Sequence, residues 1–186
     1  MLRPLLAASL ALALSLTACV QAQDSPDATV EAQGLIATDP AGAPAGVDWV
    51  TFGEASVNAP AEGDFILLAG YATWCGWCDR IDADVYGDET VQTYLNEHFQ
   101  SVRVNTESRA ALQFADATVT EAQLAADLGM RGTPTTVFMK ADGSQHWVLP
   151  GYREVPDFML ALRYFVEGAY ESMSFGEFVQ SQDAEG

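Results

Sequence analysis

Apolar residues along this chain change rhythm several times, and each rhythm predicts an element. Phe65-Ile66-Leu67-Leu68-Ala69-Gly70-Tyr71-Ala72 is apolar almost without interruption. A short run without alternation predicts a strand buried on both faces, at the centre of a sheet. Ser101-Val102-Arg103-Val104-Asn105 alternates and predicts another strand. Thr135–Lys140 and Gln145–Leu149, joined across Ala141-Asp142-Gly143-Ser144, predict an antiparallel hairpin. Elsewhere the spacing turns helical. Arg80-Ile81-Asp82-Ala83-Asp84-Val85 continues a helix that opens near residue 75. Asp88 suits the N-cap of the next helix, whose Val91, Tyr94, Leu95, His98 and Phe99 share a face, so His98 reads as a packed helix residue rather than a ligand. Thr120 with Gln123 forms a capping-box signature ahead of Leu124 and Leu128, and Gly129 stops that helix. Pro156 to Gly168 carries Phe158, Leu162 and Phe165 at core spacing, and Phe175 with Phe178 predicts a short last helix. Residues 106–119 show no period and predict a loop. The folded part opens at Asp48-Trp49-Val50-Thr51-Phe52, where Gly53, Asn58 and Pro60 argue against a long helix. Strands alternating with helices, then a hairpin and a helix, predict an α/β fold with a central mixed sheet.

Composition narrows the picture. A chain of 186 residues suits one domain with appendages. With 26 acidic residues against 8 basic ones it lacks the basic surface that nucleic-acid binding needs, and the excess reads as a solvated acidic exterior. Residues 1–18 stand apart from the fold: Arg3 gives a positive start, and Leu5–Leu16 is an apolar run too short to span a bilayer. Leu16-Thr17-Ala18-Cys19 resembles the lipobox of bacterial lipoproteins. That resemblance implies lipidation of Cys19 and a place on the periplasmic face of a bacterial membrane. An ordinary signal peptide cut beside Ala22 is the alternative, but lipidation accounts for a third cysteine that has no partner. Residues 19–46, rich in Ala, Pro, Gly, Asp and Gln, read as a flexible tether. The folded domain is expected over 47–179, with an acidic tail over 180–186.

The candidate chemistry lies at Trp74-Cys75-Gly76-Trp77-Cys78, directly after the apolar strand. Residues i and i+3 on a first helical turn lie roughly 5–6 Å apart, within disulfide range. The first cysteine meets the unpaired N–H groups and positive dipole end of the helix, which favour its thiolate, the attacking species in thiol–disulfide exchange. Cys75 is thus the expected nucleophile and Cys78 the resolving thiol. Half a zinc site would need further ligands, and neither a second Cys pair nor a suitably spaced His98 or His146 supplies them. Haem attachment would need His where Asp79 stands. A purely structural disulfide is the remaining alternative. No cofactor beyond the cysteine pair and no metal is expected.

Tyr71-Ala72-Thr73-Trp74-Cys75-Gly76-Trp77-Cys78 resembles the active site of the thioredoxin superfamily, and Met130-Arg131-Gly132-Thr133-Pro134-Thr135-Thr136-Val137-Phe138 resembles its cis-proline loop and following strand. The tail from Pro150-Gly151-Tyr152 through Phe158-Met159 to Leu162-Arg163-Tyr164-Phe165 is similar to exported thioredoxin-like proteins associated with periplasmic sulfur oxidation. The resemblance covers about 47–179 and departs at three positions: Trp77 replaces the usual proline, Ala69 the usual buried acid, and Thr133 precedes the cis-proline. It implies a thioredoxin fold and exchange with disulfide-containing protein substrates. It also implies a reductase role fed by a membrane dithiol donor, since the exported compartment is kept oxidising. Thr133 and Pro134 would hold an extended substrate segment by backbone hydrogen bonds. Trp74, Gly76 and Trp77 would form the contact surface, although core packing is the plainer reading for the tryptophans, more so for Trp74. A non-catalytic peptide-binding module with a locked disulfide is the rival, and a copper-handling role lacks a His or Met cluster.

Overall fold

The computed structural model describes residues 42–57, 65–114 and 117–185. The expected export segment, Cys19, the tether up to residue 41, and Asn58 and Pro60 lie outside the described residues. In chain order the elements are β1 (Trp49–Val50), α1 (Phe52–Val57), β2 (Phe65–Tyr71), α2 (Gly76–Asp84), α3 (Glu89–His98) and β3 (Phe99–Asn105). There follow β4 (Ala111–Phe114), β5 (Ala117–Thr120), α4 (Glu121–Asp127), β6 (Thr135–Lys140), β7 (His146–Pro150), α5 (Val155–Val166), a 3-10 turn (Ala169–Glu171) and α6 (Phe175–Glu185).

The unbroken apolar run becomes the middle strand of a five-stranded sheet ordered β1-β3-β2-β6-β7. β2 runs parallel to β3, pairing Ala69 with Arg103, and antiparallel to β6, pairing Ala69 with Thr136. Alternate residues of a strand point to opposite faces, so β2 feeds two cores. Phe65, Leu67 and Ala69 pack with Ile81 and Val85 at α2, Leu95 of α3, and Phe158, Leu162 and Phe165 of α5. Ile66 and Leu68 pack on the other side with Phe52, Leu124 and Leu128. Helices therefore cover both faces of a mixed sheet, as the alternating elements predict.

The caps follow the sequence signals. Asp88 Oδ1 accepts from the Thr90 and Val91 amides at 2.8 and 3.2 Å. Thr120 and Gln123 bond reciprocally, at 3.2 and 2.8 Å. Gly129 takes φ +78°, the left-handed conformation that ends a helix without a Cβ penalty.

Four expectations need correction. The stretch expected as a loop contains the β4–β5 hairpin, a separate two-stranded sheet. Its strands have four residues each, and of β4 only Leu112 is fully buried while Gln113 lies exposed and bonds to Thr118 across the pair at 2.8 Å. Strands that short carry too few positions for a period to show. The end of the expected tether is held onto the domain: Gln92 and Asn96 of α3 donate to the carbonyls of Ala45 and Gly46 at 3.1 and 2.9 Å, and the Trp49 indole donates to Pro44 at 3.0 Å. The expected boundary at 179 falls inside α6, so most of the acidic tail is helical. His98 is 37% exposed and touches the Tyr94 ring at 4.5 Å between centroids, since Phe99 leaves the helix to begin β3 and turns the stripe away.

Candidate active site

β2 ends at Tyr71, and the next four residues form the link to α2. Ala72 turns inward, and its carbonyl accepts the Cys75 amide at 3.1 Å. Cys75 is the N-cap of α2, with φ −85° and ψ 94°, and its Sγ accepts the Cys78 N–H at 3.1 Å. The first amides of a helix have no acceptor four residues back, and here the Cys78 amide is shared between the Cys75 carbonyl at 2.8 Å and the Cys75 sulfur. The two cysteines are joined in a disulfide with their Cα atoms 5.2 Å apart. Both are nearly covered, Cys75 at 6% exposure and Cys78 at 3%. Gly76 is exposed, and a Cβ there would meet nothing within 4 Å.

The proline loop reaches the same end of the sheet. The Thr133–Pro134 peptide is cis, Thr133 is half-buried, and Pro134 is buried and shares a small cavity with Cys78. Three contacts set this loop. Thr135 Oγ1 donates to the Gly132 carbonyl at 2.6 Å, and the Gly151 amide donates to the Pro134 carbonyl at 2.9 Å. The third is a close approach at a glycine in β2. A Cβ on Gly70 would lie 2.6 Å from Met130 Sδ and 3.1 Å from the Thr135 carbonyl, so a larger residue would push the Met130 side chain aside and press on the loop.

The tryptophans reverse the expected order. Trp74 is 72% exposed and Trp77 57%, so neither is a core residue, and Trp74 is the more exposed of the two. The cause is local. Ala72 and Cys75 close a tight turn, which leaves residues 73 and 74 at its solvent-facing tip. The Trp74 indole donates to Glu107 Oε2 at 2.9 Å. Trp77 faces Tyr152 with centroids 5.6 Å apart, and the Arg80 guanidinium lies 5.5 Å from the first ring and 5.6 Å from the second. Asp84 Oδ2 accepts from both Arg80 Nε and Tyr152 OH at 3.1 Å. Burial and the neighbouring Asp84 both raise the Tyr152 hydroxyl above its ordinary range.

Behind the disulfide the character changes. Arg103 of β3 is 5% exposed, lies 4.3 Å from the Tyr71 ring and 5.7 Å from the Trp49 ring, and donates to Asp82 Oδ1 at 2.8 Å. Asp82 belongs to α2, one turn beyond Cys78. Burial raises its carboxyl above the ordinary aspartate value, and the Arg103 charge only partly offsets this. The Tyr86 hydroxyl, fully buried and bonded to Thr136, is pushed up to about 12 by burial.

Of the residues singled out in the sequence, the structure sets both cysteines, Gly76 and both tryptophans at the opening of α2, and Thr133 and Pro134 on the loop beside it. Sequence reasoning did not single out their neighbours Glu107, Arg80, Asp82, Arg103 and Tyr152. Helical spacing could have supplied some of these, because Cys78–Asp82 and Arg80–Asp84 are i,i+4 pairs on one helix. Arg103 and Tyr152 arrive through strand register and the turn after β7, for which no local signal exists.

Residues 52–166 match the thioredoxin-like domain family. Among solved structures, a thioredoxin-fold protein from Helicobacter pylori superposes with a TM-score of 0.60 at 18% identity, over 80% of this chain and 100% of that one. A thioredoxin from Thermus thermophilus gives 0.52 at 24% identity, over 63% of this chain and 85% of that one. A DsbH oxidoreductase gives 0.53 at 18% identity, over 70% and 91%. Identities this low carry the fold and nothing finer. No curated protein matches the sequence. The family match takes in the central strand, the disulfide helix and the proline loop together, and the chain therefore belongs to the thioredoxin-like domain family.

Proposed function

We propose that this protein is an exported thiol–disulfide oxidoreductase that works as a disulfide reductase, anchored to the periplasmic face of a bacterial membrane by lipid on Cys19. The observation that carries the exchange chemistry is the bond from the Cys78 amide to Cys75 Sγ at the opening of α2. A thiolate at that position keeps a hydrogen bond and a favourable helix dipole, which lowers the cost of forming the attacking species.

In the reduced protein the Cys75 thiolate attacks one sulfur of a substrate disulfide. That S–S bond breaks, its electron pair leaves with the other substrate sulfur, and a mixed disulfide joins Cys75 to the substrate. Cys78 then attacks Cys75 Sγ, closes the internal disulfide and releases the second substrate thiolate, which takes a proton from water. A membrane dithiol donor would reduce the pair again, because the compartment is kept oxidising. The exposed surface of Trp74, Gly76 and Trp77 supports contact with a folded or extended protein substrate, with Thr133 and Pro134 offering backbone groups beside it. Resemblance of the tail to exported proteins of the sulfur-oxidation type supports the compartment.

The cysteine variants test this reading. Cys78→Ser should accumulate mixed disulfides with partner proteins, seen as bands that vanish on reduction, and Cys75→Ser should accumulate few. Equal trapping by both would overturn the division of labour. A wild type that never turns over a dithiol would leave a peptide-binding module with a structural disulfide. For the anchor, Cys19→Ala should leave the processed protein soluble, and an intact mass showing unmodified Cys19 in the native protein would remove that part.

A further inference from the structure

The resolving step described above raises a question of proton movement. Cys78 is 3% exposed, and a thiol must lose its proton before it can attack Cys75. A thiol ordinarily ionises near about 8.5, and burial in apolar surroundings moves it higher. Bulk water does not reach this sulfur easily, so a nearby acceptor would matter.

Behind Cys78 lies a cavity of about 10 Å³, lined by Cys78, Asp82, Arg103, Ala69, Pro134 and Thr136 among others. That is about the smallest space that holds one water, and its walls carry several polar groups to orient it. Cys78 and Asp82 are i and i+4 on α2 and so share a face. Arg103 holds Asp82 Oδ1 at 2.8 Å, which fixes the carboxylate at the cavity wall. On β2, Ala69 stands where the thioredoxin resemblance leads to an acid, and it lines the same cavity. A methyl group there leaves the space that the water would take.

We propose that Asp82 is the proton acceptor and donor for Cys78, acting through one water in this cavity, so that the carboxylate stands on the helix and not at Ala69 of β2. This inference rests on the oxidoreductase reading. During resolution the Cys78 thiol passes its proton by way of the water to the Asp82 carboxylate. The Cys78 thiolate then attacks Cys75 Sγ, the Cys75–substrate S–S bond breaks, and the electron pair leaves with the substrate sulfur. When the dithiol donor reduces the pair again, Asp82 returns the proton to the Cys78 thiolate. The raised carboxyl suits the task, because it narrows the gap between acceptor and thiol. The titratable groups around Asp82 are Arg103 from β3, which favours its charge, and Asp79 on its own helix, which disfavours it. Tyr71 of β2, Tyr86 and Cys78 are the other titratable side chains at the cavity, and β6 brings only threonines to it.

A coloured disulfide separates the two chemical steps. Reduced full-length protein in the Cys19→Ala background is mixed with substoichiometric dithiobis-nitrobenzoate. The first burst of released nitrothiolate reads attack by Cys75, and the second reads resolution by Cys78. In Asp82→Asn the second burst should slow by about tenfold or more near neutral pH, with the first within about twofold. The gap should close as pH passes the thiol's own ionisation. Should the unpaired guanidinium destabilise that variant, the Arg103→Met/Asp82→Asn double variant removes the charge and should show the same selective slowing. An unchanged second burst in either variant, or a slowing that persists unaltered at all pH, overturns the role of Asp82. A wild type that releases no second burst at any pH overturns the oxidoreductase reading itself, and this inference with it.

Discussion

The disulfide helix has two sides, and each carries an arginine–aspartate pair. Outside, Arg80 and Asp84 meet at 3.1 Å with side chains 60% and 45% exposed. Inside, Arg103 and Asp82 meet at 2.8 Å with side chains 6% and 21% exposed. The chemical groups are the same, but the solvent differs. Water screens the outer pair and competes for its hydrogen bonds, so its worth is small. The inner pair has given up much of its hydration, and each partner depends on the other to offset that loss. Aromatic rings repeat the contrast. Trp77 and Tyr152 form an open platform under Arg80, whereas Tyr71 and Trp49 enclose Arg103. The outer side leaves its rings and charges open to solvent, and the inner side holds charge in a fixed place.

The largest break in this contrast should come from Asp82→Ala. It strands the Arg103 guanidinium without its partner, and the loss should be about 3 kcal/mol, seen as a lower urea midpoint. Phe- or Leu-sized gaps are not involved, so the effect would isolate the charge.

The pH dependence sharpens the same point. Asp82 has a folded value above its ordinary 3.8, so folding takes up a proton between those two values. Its contribution is therefore fullest below 3.8 and is lost as pH rises through the folded value. Glu54 and Glu177 run the other way: bonds from Thr51 and Ser174 lower them, so their contributions are present above 4.5 and fade as pH falls. In Asp82→Asn, urea midpoints measured across the acid range should lose only the first of these slopes.

Trp77→Ala should act on recognition rather than stability. It removes an exposed ring from the outer platform, so KM for a protein disulfide should rise, by about tenfold if the ring is a contact hot spot. Turnover of a small aromatic disulfide should stay nearly unchanged, and a parallel loss on both substrates would mean the ring supports the cysteines instead. The smallest effect belongs to Arg80→Ala. The thermal midpoint should not move measurably, since an exposed pair contributes little.

How much of this was legible beforehand varies by element. Phe65–Ala72 needed little context, because a continuous apolar run of strand length between polar stretches suits a strand covered on both faces. Asp88, Thr120 and Gly129 were equally local, each acting within one turn of its own position. The β4–β5 hairpin was hidden by the shortness of its strands. Trp74 was misjudged for a different reason: a large apolar side chain is usually covered, and only the turn from Ala72 to Cys75 decides that this one is not.

The sequence by itself determined the strand, the helix that follows it, the cysteine spacing and the proline motif, since each is carried by a pattern of residues within one short stretch. Its likeness to a thioredoxin was likewise carried by two short motifs. Only the tertiary structure decided what surrounds the sulfurs. The register of β2 against β3 sets Arg103 beside Ala69, and the turn after β7 lays Tyr152 against Trp77. Charge and aromatic contacts act through space, over a few ångströms and regardless of chain separation, so their partners become known only when the sheet is assembled.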